Sequence, residues 1–292
     1  MRIALISASS YAAVDQVLQD LKTGLALVRP DWVVDAFRYL ETSAEEMNLS
    51  SYDLVHFGYF GFSHPDLTIL GAPTTANVWH IAADRRKQSH AALTFTGFHQ
   101  LIVEDVATLQ TLGQLGFTNV SPIPMPFDET RWPTLPALNG PFTVGCFGDN
   151  VPSKRFDIIQ KACSEAGVRA YMLVIPQLRR VCNLKPVEDV YSQVHVLAHA
   201  SFLDTSSRTA LEALACGIPI LSTINDGLRR VANGGNITFY DGSVSDLASK
   251  IREVQEKYEW HRESAVFTQF PSLEMIATKY AQTFEKVVAD SQ

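Results

Sequence analysis

Cysteine is scarce in this chain, at four of 292 residues. Cys146, Cys163, Cys182 and Cys216 have no paired spacing, and each lies in or beside an apolar segment. That excludes a disulfide framework and a cysteine-based zinc or redox motif, and it reads as free buried thiols in a reducing compartment. Long apolar runs are also missing: none approaches the ~20 residues of a membrane span. The opening MRIALIS reads as a buried strand, because a signal peptide needs a longer apolar region and a cleavage site. The expected location is therefore cytoplasmic. No Gly-x-Gly-x-x-Gly occurs, which excludes a dinucleotide fingerprint. Internal repeats and low-complexity segments are absent as well.

Basic residues are few in the first half. Residues 1–138 hold eight Lys and Arg against 14 Asp and Glu, and most of the net charge of −7 lies there. An acidic half argues against a polyanionic partner such as nucleic acid or an anionic membrane surface. What remains is an ordinary globular composition, 46% hydrophobic and 19% charged. The length suits two domains of about 100–150 residues each.

Strand and helix signals alternate along the chain, which implies parallel sheets covered on both faces. In the first half the pattern predicts strands at Ile3–Ser7, Trp32–Phe37, Tyr52–Gly58, Asn77–Ile81, Ala92–Phe98 and Val120–Pro124. Helices are expected at Val14–Leu27 and Glu104–Leu115, the latter with Val106, Leu109, Leu112 and Leu115 on its apolar face. Six of the 14 prolines fall between 122 and 141, so this stretch reads as an extended connector. It sets the expected domains at 1–135 and 136–270. The pattern then restarts, with strands at Phe142–Gly148, Arg169–Ile175, Val194–His199, Ile218–Leu221 and Ile237–Tyr240. Helices are expected at Phe156–Ala166, Val244–Tyr258 and Leu273–Val288, the last with Ile276, Tyr280, Phe284 and Val287 on one face.

The stretch VLAHASFLDTSSRTALEALACGIPILST, Val196 to Thr223, carries the most chemistry. A strand runs into a polar loop holding Asp204, and a helix opens near Ser207. Its first residues expose backbone N–H groups and a partial positive charge, a natural seat for an anion. Ser207 is a good N-cap. Arg208 and Thr209 occupy the first turn, where Arg208 can reach a phosphate. Glu212 follows one turn on, where a carboxylate can accept from both hydroxyls of a ribose. Gly217 and Pro219 stop the helix. A second such place is FTVGCFGDNVPSKRFDII, where Lys154 and Arg155 stand just before a helix and suit a diphosphate.

Asp204, seven residues, Glu212 and then Ala213-Leu214-Ala215-Cys216-Gly217-Ile218-Pro219 resemble the signature of glycosyltransferase family 4, a retaining GT-B family. The resemblance is strongest over 142–240, with weaker echoes at 52–58 and 116–133. It departs from the family at Asp204, where the family has the longer Glu. It departs again at Asp149, which stands where an Arg is usual, while Lys154 keeps the family's Lys. Arg155, Arg179, Arg180 and Arg208 are the cations available to replace that Arg.

The resemblance implies an α/β GT-B fold of two Rossmann-like domains facing an interdomain cleft. Residues 271–292 would form a closing helix packed back on the first domain. It further implies transfer of a sugar from a nucleoside diphosphate sugar, UDP- or GDP-linked, with retention of configuration. The hydroxyl acceptor is a glycan, lipid, small molecule or modified nucleobase. Lys154, Arg155, Ser207, Arg208 and Thr209 would hold the diphosphate and Glu212 the ribose. Asp204 would hold the donor sugar, and His80, in TTANVWHIAAD, would line the acceptor side. His56 matches a structural family His. Neither a cofactor nor a metal is expected, and no Asp-x-Asp occurs to hold a metal. A nucleotide-sugar epimerase, a non-catalytic nucleotide-sugar or glycan-binding relative and a nucleic-acid-modifying glycosyltransferase are the competing readings.

Overall fold

A computed structural model of the chain describes residues 1–7, 12–38, 44–59, 70–79, 90, 94–149, 152–175, 187–201, 207–224 and 226–292. Two compact units emerge, Met1–Asp128 together with Pro271–Gln292, and Glu129–Phe270. The division falls earlier in the proline-rich stretch than the expected 135/136. Ile123, Met125 and Phe127 are buried, alternate residues of an extended run, and they bind that run to the first unit.

The first unit is a six-stranded parallel sheet of β1 (Arg2–Ser7), β2 (Val33–Arg38), β3 (Leu54–Tyr59), β4 (Thr74–Val78), β5 (Gln100–Val103) and β6 (Val120–Pro122). The strand order is β2-β1-β3-β4-β5-β6. Its helices are α1 (Ala12–Val28), α2 (Ala44–Met47), α3 (Val106–Gln114) and the closing α10 (Leu273–Asp290). Strand β1 shows how sequence makes the layers. Ile3 and Leu5 face one side, with Leu18, Leu21 and Leu25 of α1 and Ile276, Tyr280 and Phe284 of α10. Ala4 and Ile6 face the other, with Phe57, Phe95, Phe98 and Leu112. Both faces are covered, as a parallel sheet requires. Each large apolar side chain so buried contributes ~1.5–3 kcal/mol.

Four expected elements are corrected. The strand expected at Asn77–Ile81 lies at Thr74–Val78, and the one expected at Ala92–Phe98 is replaced by Gln100–Val103. Thr94 and Phe95 are helical, and Thr96-Gly97 turn the chain into β5. Val106 in α3 and Leu115 just beyond its end are exposed, while Thr108 and Leu112 are the buried residues of the helix. The Asp105 side chain accepts from the Thr108 N–H as N-cap, and this sets the helix phase. The helix expected over Val244–Tyr258 breaks at Lys257 (φ −111°, ψ 29°).

His56 on β3 is wholly buried. Its Nδ1 lies 2.8 Å from Thr75 Oγ1, and its ring meets those of Tyr280 and Phe284 at 5.7 and 5.3 Å. Burial pushes its pKa down to about 3 from 6.5. The unfolded chain therefore takes up a proton near pH 6.5 that the folded unit refuses until about pH 3. Stability from this group is intact above pH 6.5 and falls steadily below it. We expect the first unit to lose about 2 kcal/mol between pH 6.5 and 5. Urea midpoints of the wild type and His56→Gln check this, the variant having the flatter profile.

The second unit is a five-stranded parallel sheet of β7 (Thr143–Asp149), β8 (Arg169–Ile175), β9 (Val196–His199), β10 (Ile220–Thr223) and β11 (Ile237–Tyr240), ordered β11-β10-β9-β7-β8. Its helices are α4 (Phe156–Ala166), α5 (Val187–Tyr191), α6 (Arg208–Ala215), α7 (Asp226–Arg229), α8 (Val244–Glu256) and α9 (Tyr258–Val266). Ile159, Ala162 and Cys163 of α4 and Leu247, Ile251 and Val254 of α8 pack on one face against Val144, Val196, Leu221 and Tyr240. Cys146, Cys163 and Cys216 are free and buried, and Cys182 lies outside the described residues. Burial raises the Cys146 thiol and pushes Cys163 up to about 11, so both stay protonated and unreactive near neutrality. Among the described residues, no helix is long and apolar enough to cross a membrane.

Candidate active site

Strand order places the site. In the second unit β8 lies on one side of β7, while β9, β10 and β11 lie on the other. The chain thus turns in opposite directions after β7 and after β9, which opens a crevice at their carboxyl ends. Lys154 and Arg155 follow β7. Ser207, Arg208, Thr209 and Glu212 follow β9.

On the β9 side, Ser207 is extended (φ −82°, ψ 106°), and its Oγ accepts from the Ala210 N–H, so it caps α6. Gly217 has φ +78°, and a Cβ there would stand 2.9 Å from Val266 Cγ2. Only glycine holds that turn without strain. The Gly217 and Ile218 N–H groups donate to the Leu214 and Ala213 carbonyls. Both ends of α6 are thereby fixed, and with them the height of Glu212 in its second turn.

Glu212 is engaged at both oxygens. Arg208 Nε donates to Oε1 at 2.9 Å, and the Tyr191 hydroxyl donates to Oε2 at 2.8 Å. The two partners in the ion pair are largely buried, at 5% and 14% side-chain exposure, so solvent screens them little. The Arg208 side chain, expected to reach for phosphate, is turned along α6 toward this carboxylate. Tyr191 also lies 3.2 Å from the Thr209 carbonyl. Its ring meets those of Phe147 and Trp132 edge-on, at 5.5 and 6.0 Å. Burial first, then the Glu212 carboxylate, hold its phenol well above the ordinary range. It is a fixed, protonated donor at any physiological pH.

On the β7 side, Gly148 has φ +147°, and the Lys154 stem passes over it, 3.7 Å from where a Cβ would stand. A turn over Pro152–Lys154 delivers the lysine to the end of β7. Arg155 is left-handed (φ 50°, ψ 44°) at the start of α4. Its Nη2 donates to the Gly242 carbonyl at 2.9 Å, tying the loop after β7 to the loop after β11. Two hydroxyls along the same edge, Ser201 Oγ and Tyr240 Oη, are buried with no partner among the described residues.

Lys154, Arg155, Ser207, Arg208, Thr209 and Glu212 therefore share one edge of one sheet. His80, Asp204, Arg179 and Arg180 lie outside the described residues, and so do Ala8–Tyr11, Arg85–Lys87 and Asn225. Among the described residues, no group of His, Cys, Asp and Glu is placed to hold a metal ion. Tyr191 is the site residue that sequence reasoning missed. It stands 21 positions before Glu212, and no motif spacing joins the two.

Residues 146–257 match the family model described as glycosyl transferases group 1, a match that takes in most of the second unit. No curated protein matches the chain. The chain superposes on the Anabaena protein HepE in complex with UDP-glucose with a TM-score of 0.69 at 16% identity, covering 100% of this chain and 99% of that one. Sucrose-phosphate synthase from Thermosynechococcus elongatus gives 0.71 at 16% identity over 99% and 100%. AviGT4, a glycosyltransferase involved in avilamycin A biosynthesis, gives 0.63 at 15% identity over 99% and 98%. Two parallel α/β units of GT-B type are thus the fold of this chain.

Proposed function

We propose that this protein is a glycosyltransferase that moves a sugar from a nucleoside diphosphate sugar to a hydroxyl acceptor, with retention of configuration. The carrying observation is the pairing, at the switch point of the second sheet, of a fixed carboxylate with a cation. Glu212 is held in the second turn of α6, and Lys154 crosses Gly148 at the end of β7. A carboxylate suits a ribose diol, and a lysine beside the amides of a helix start suits a diphosphate. As the sugar leaves, negative charge grows on the diphosphate. Lys154 and the amides at Ser207–Thr209 stabilise it in place, with little reorganisation. Asp204 would hold the donor sugar, and His80 would line the acceptor side. Neither a metal nor a cofactor is required by this reading. The HepE structure holds UDP-glucose, which makes UDP and UDP-glucose the first ligands to test.

Thermal shift with UDP, GDP, ADP, TDP and their glucose conjugates tests the donor, and we expect one nucleotide family to stabilise the protein. Lys154→Ala then tests the diphosphate role by calorimetry. Losing one charge-assisted contact should weaken the favoured diphosphate about tenfold and leave its nucleoside unchanged. No shift with any nucleotide, or equal weakening of nucleoside and diphosphate, defeats the proposal.

A further inference from the structure

We propose that Tyr191 and Arg208 are positioning residues that set Glu212 as a ribose-reading carboxylate before any nucleotide arrives. The inference rests on the reading of Glu212 as the ribose ligand and adds the means by which it discriminates.

A carboxylate has two oxygens, each able to accept twice. Arg208 Nε occupies one position on Oε1 at 2.9 Å, and the Tyr191 hydroxyl occupies one on Oε2 at 2.8 Å. A vicinal diol offers two O–H donors to a carboxylate held at a set angle. Untethered, a glutamate would lose three torsions of freedom on binding, and fixing them beforehand raises affinity without a new contact.

The two tethers come from different places. Arg208 lies one turn earlier on α6, so it steadies Glu212 along the helix axis. Tyr191 comes from the end of α5 and holds the other oxygen. Its ring is in turn set by Phe147 on β7 and by Trp132. The angle of Glu212 is thus referred to β7, the strand that also delivers Lys154. Ribose and diphosphate would be read from a common frame.

Titration calorimetry of UDP and 2′-deoxy-UDP on the intact chain tests this. The wild type should favour UDP by about tenfold or more, the worth of a hydrogen bond to a charged group. Tyr191→Phe keeps the ring packing and removes only the hydroxyl. It should weaken UDP about tenfold and 2′-deoxy-UDP much less, so that discrimination shrinks. In a Glu212→Gln background, Tyr191→Phe should change discrimination no further. Arg208→Lys, a second arm that keeps the charge but loses the planar donor, should shrink discrimination in the same way.

Equal weakening of both nucleotides by Tyr191→Phe would make Tyr191 a structural residue and overturn the proposal. Wild-type discrimination untouched by either variant would do the same. A wild type that binds UDP and 2′-deoxy-UDP alike overturns the ribose reading of Glu212 itself, an outcome separable from the other two.

Discussion

Glu212→Ala is expected to weaken nucleotide binding on the order of a hundredfold and to lower the stability of the second unit by about 3 kcal/mol. Two effects add. For binding, the diol loses an acceptor that is charged and already oriented. Hydrogen bonds to charged groups contribute roughly 1.5–3 kcal/mol each, so the dissociation constant rises on the order of a hundredfold. For stability, the Arg208 guanidinium loses a carboxylate 2.9 Å away, where both side chains are largely buried. Removing one half of such a pair leaves a desolvated charge without its counter-charge. Tyr191 suffers less, because its hydroxyl keeps the Thr209 carbonyl at 3.2 Å. Glu212→Gln separates the effects, since it retains an acceptor of the same shape. It should lose much of the binding and less of the stability. Hydrogen exchange over residues 196–223 reads the stability, and calorimetry with UDP reads the binding. A stable Glu212→Ala that binds UDP as the wild type does would refute the assigned role.

Phe284→Ala is expected to lower the stability of the first unit by about 4 kcal/mol and to leave the second unit unchanged. Phe284 on α10 is fully buried. Its ring lies against His56 on β3 at 5.3 Å and Tyr280 at 5.8 Å, in the core shared with Leu18, Leu21 and Leu25 of α1. Truncation removes apolar area and leaves a cavity that rigid strands on one side cannot close. It also unpacks one wall from Tyr280, whose hydroxyl donates to Asn77 Oδ1 at 3.0 Å. Phe284→Leu fills most of the space and should cost about 1.5 kcal/mol. Hydrogen exchange again separates the units. Faster exchange in β1, β3 and β4 with none in β7 or β9 is the expected pattern, and loss spread evenly over both units would contradict it.

Elements whose polarity follows their burial were legible in the sequence. Helix α4 and strand β11 carry the boundaries their patterns imply, because Ile159, Ala162 and Cys163 of the one and Ile237 and Tyr240 of the other lie in the core. Strand β4 was displaced for the opposite reason. Its sequence TTANV is polar, yet Thr74, Thr75 and Asn77 are buried. Each is paired sideways, Thr74 with His99, Thr75 with His56 and Asn77 with Tyr280. Partners 25, 19 and 203 positions away make a polar strand tolerable in a core, and no local window reveals them. The site divides in the same manner. Ser207 as cap, Gly217 as stop and Glu212 between them follow from local chemistry. The turning of Arg208 onto Glu212 and the hydroxyl of Tyr191 depend on packing between α5, α6 and β7, which spacing does not encode.

The first unit is written in two pieces, Met1–Asp128 and Pro271–Gln292, with the whole second unit between them. The two share one hydrophobic layer, α1 and α10 over β1 and β3. On a ribosome, the earlier piece emerges with the Leu18, Leu21 and Leu25 face of that layer half covered. It waits on the order of ten seconds for its missing helix, while residues 129–270 are made and can already collapse. The second unit is therefore able to mature before the first. The first unit must wait, with an apolar groove open to chaperones until α10 arrives.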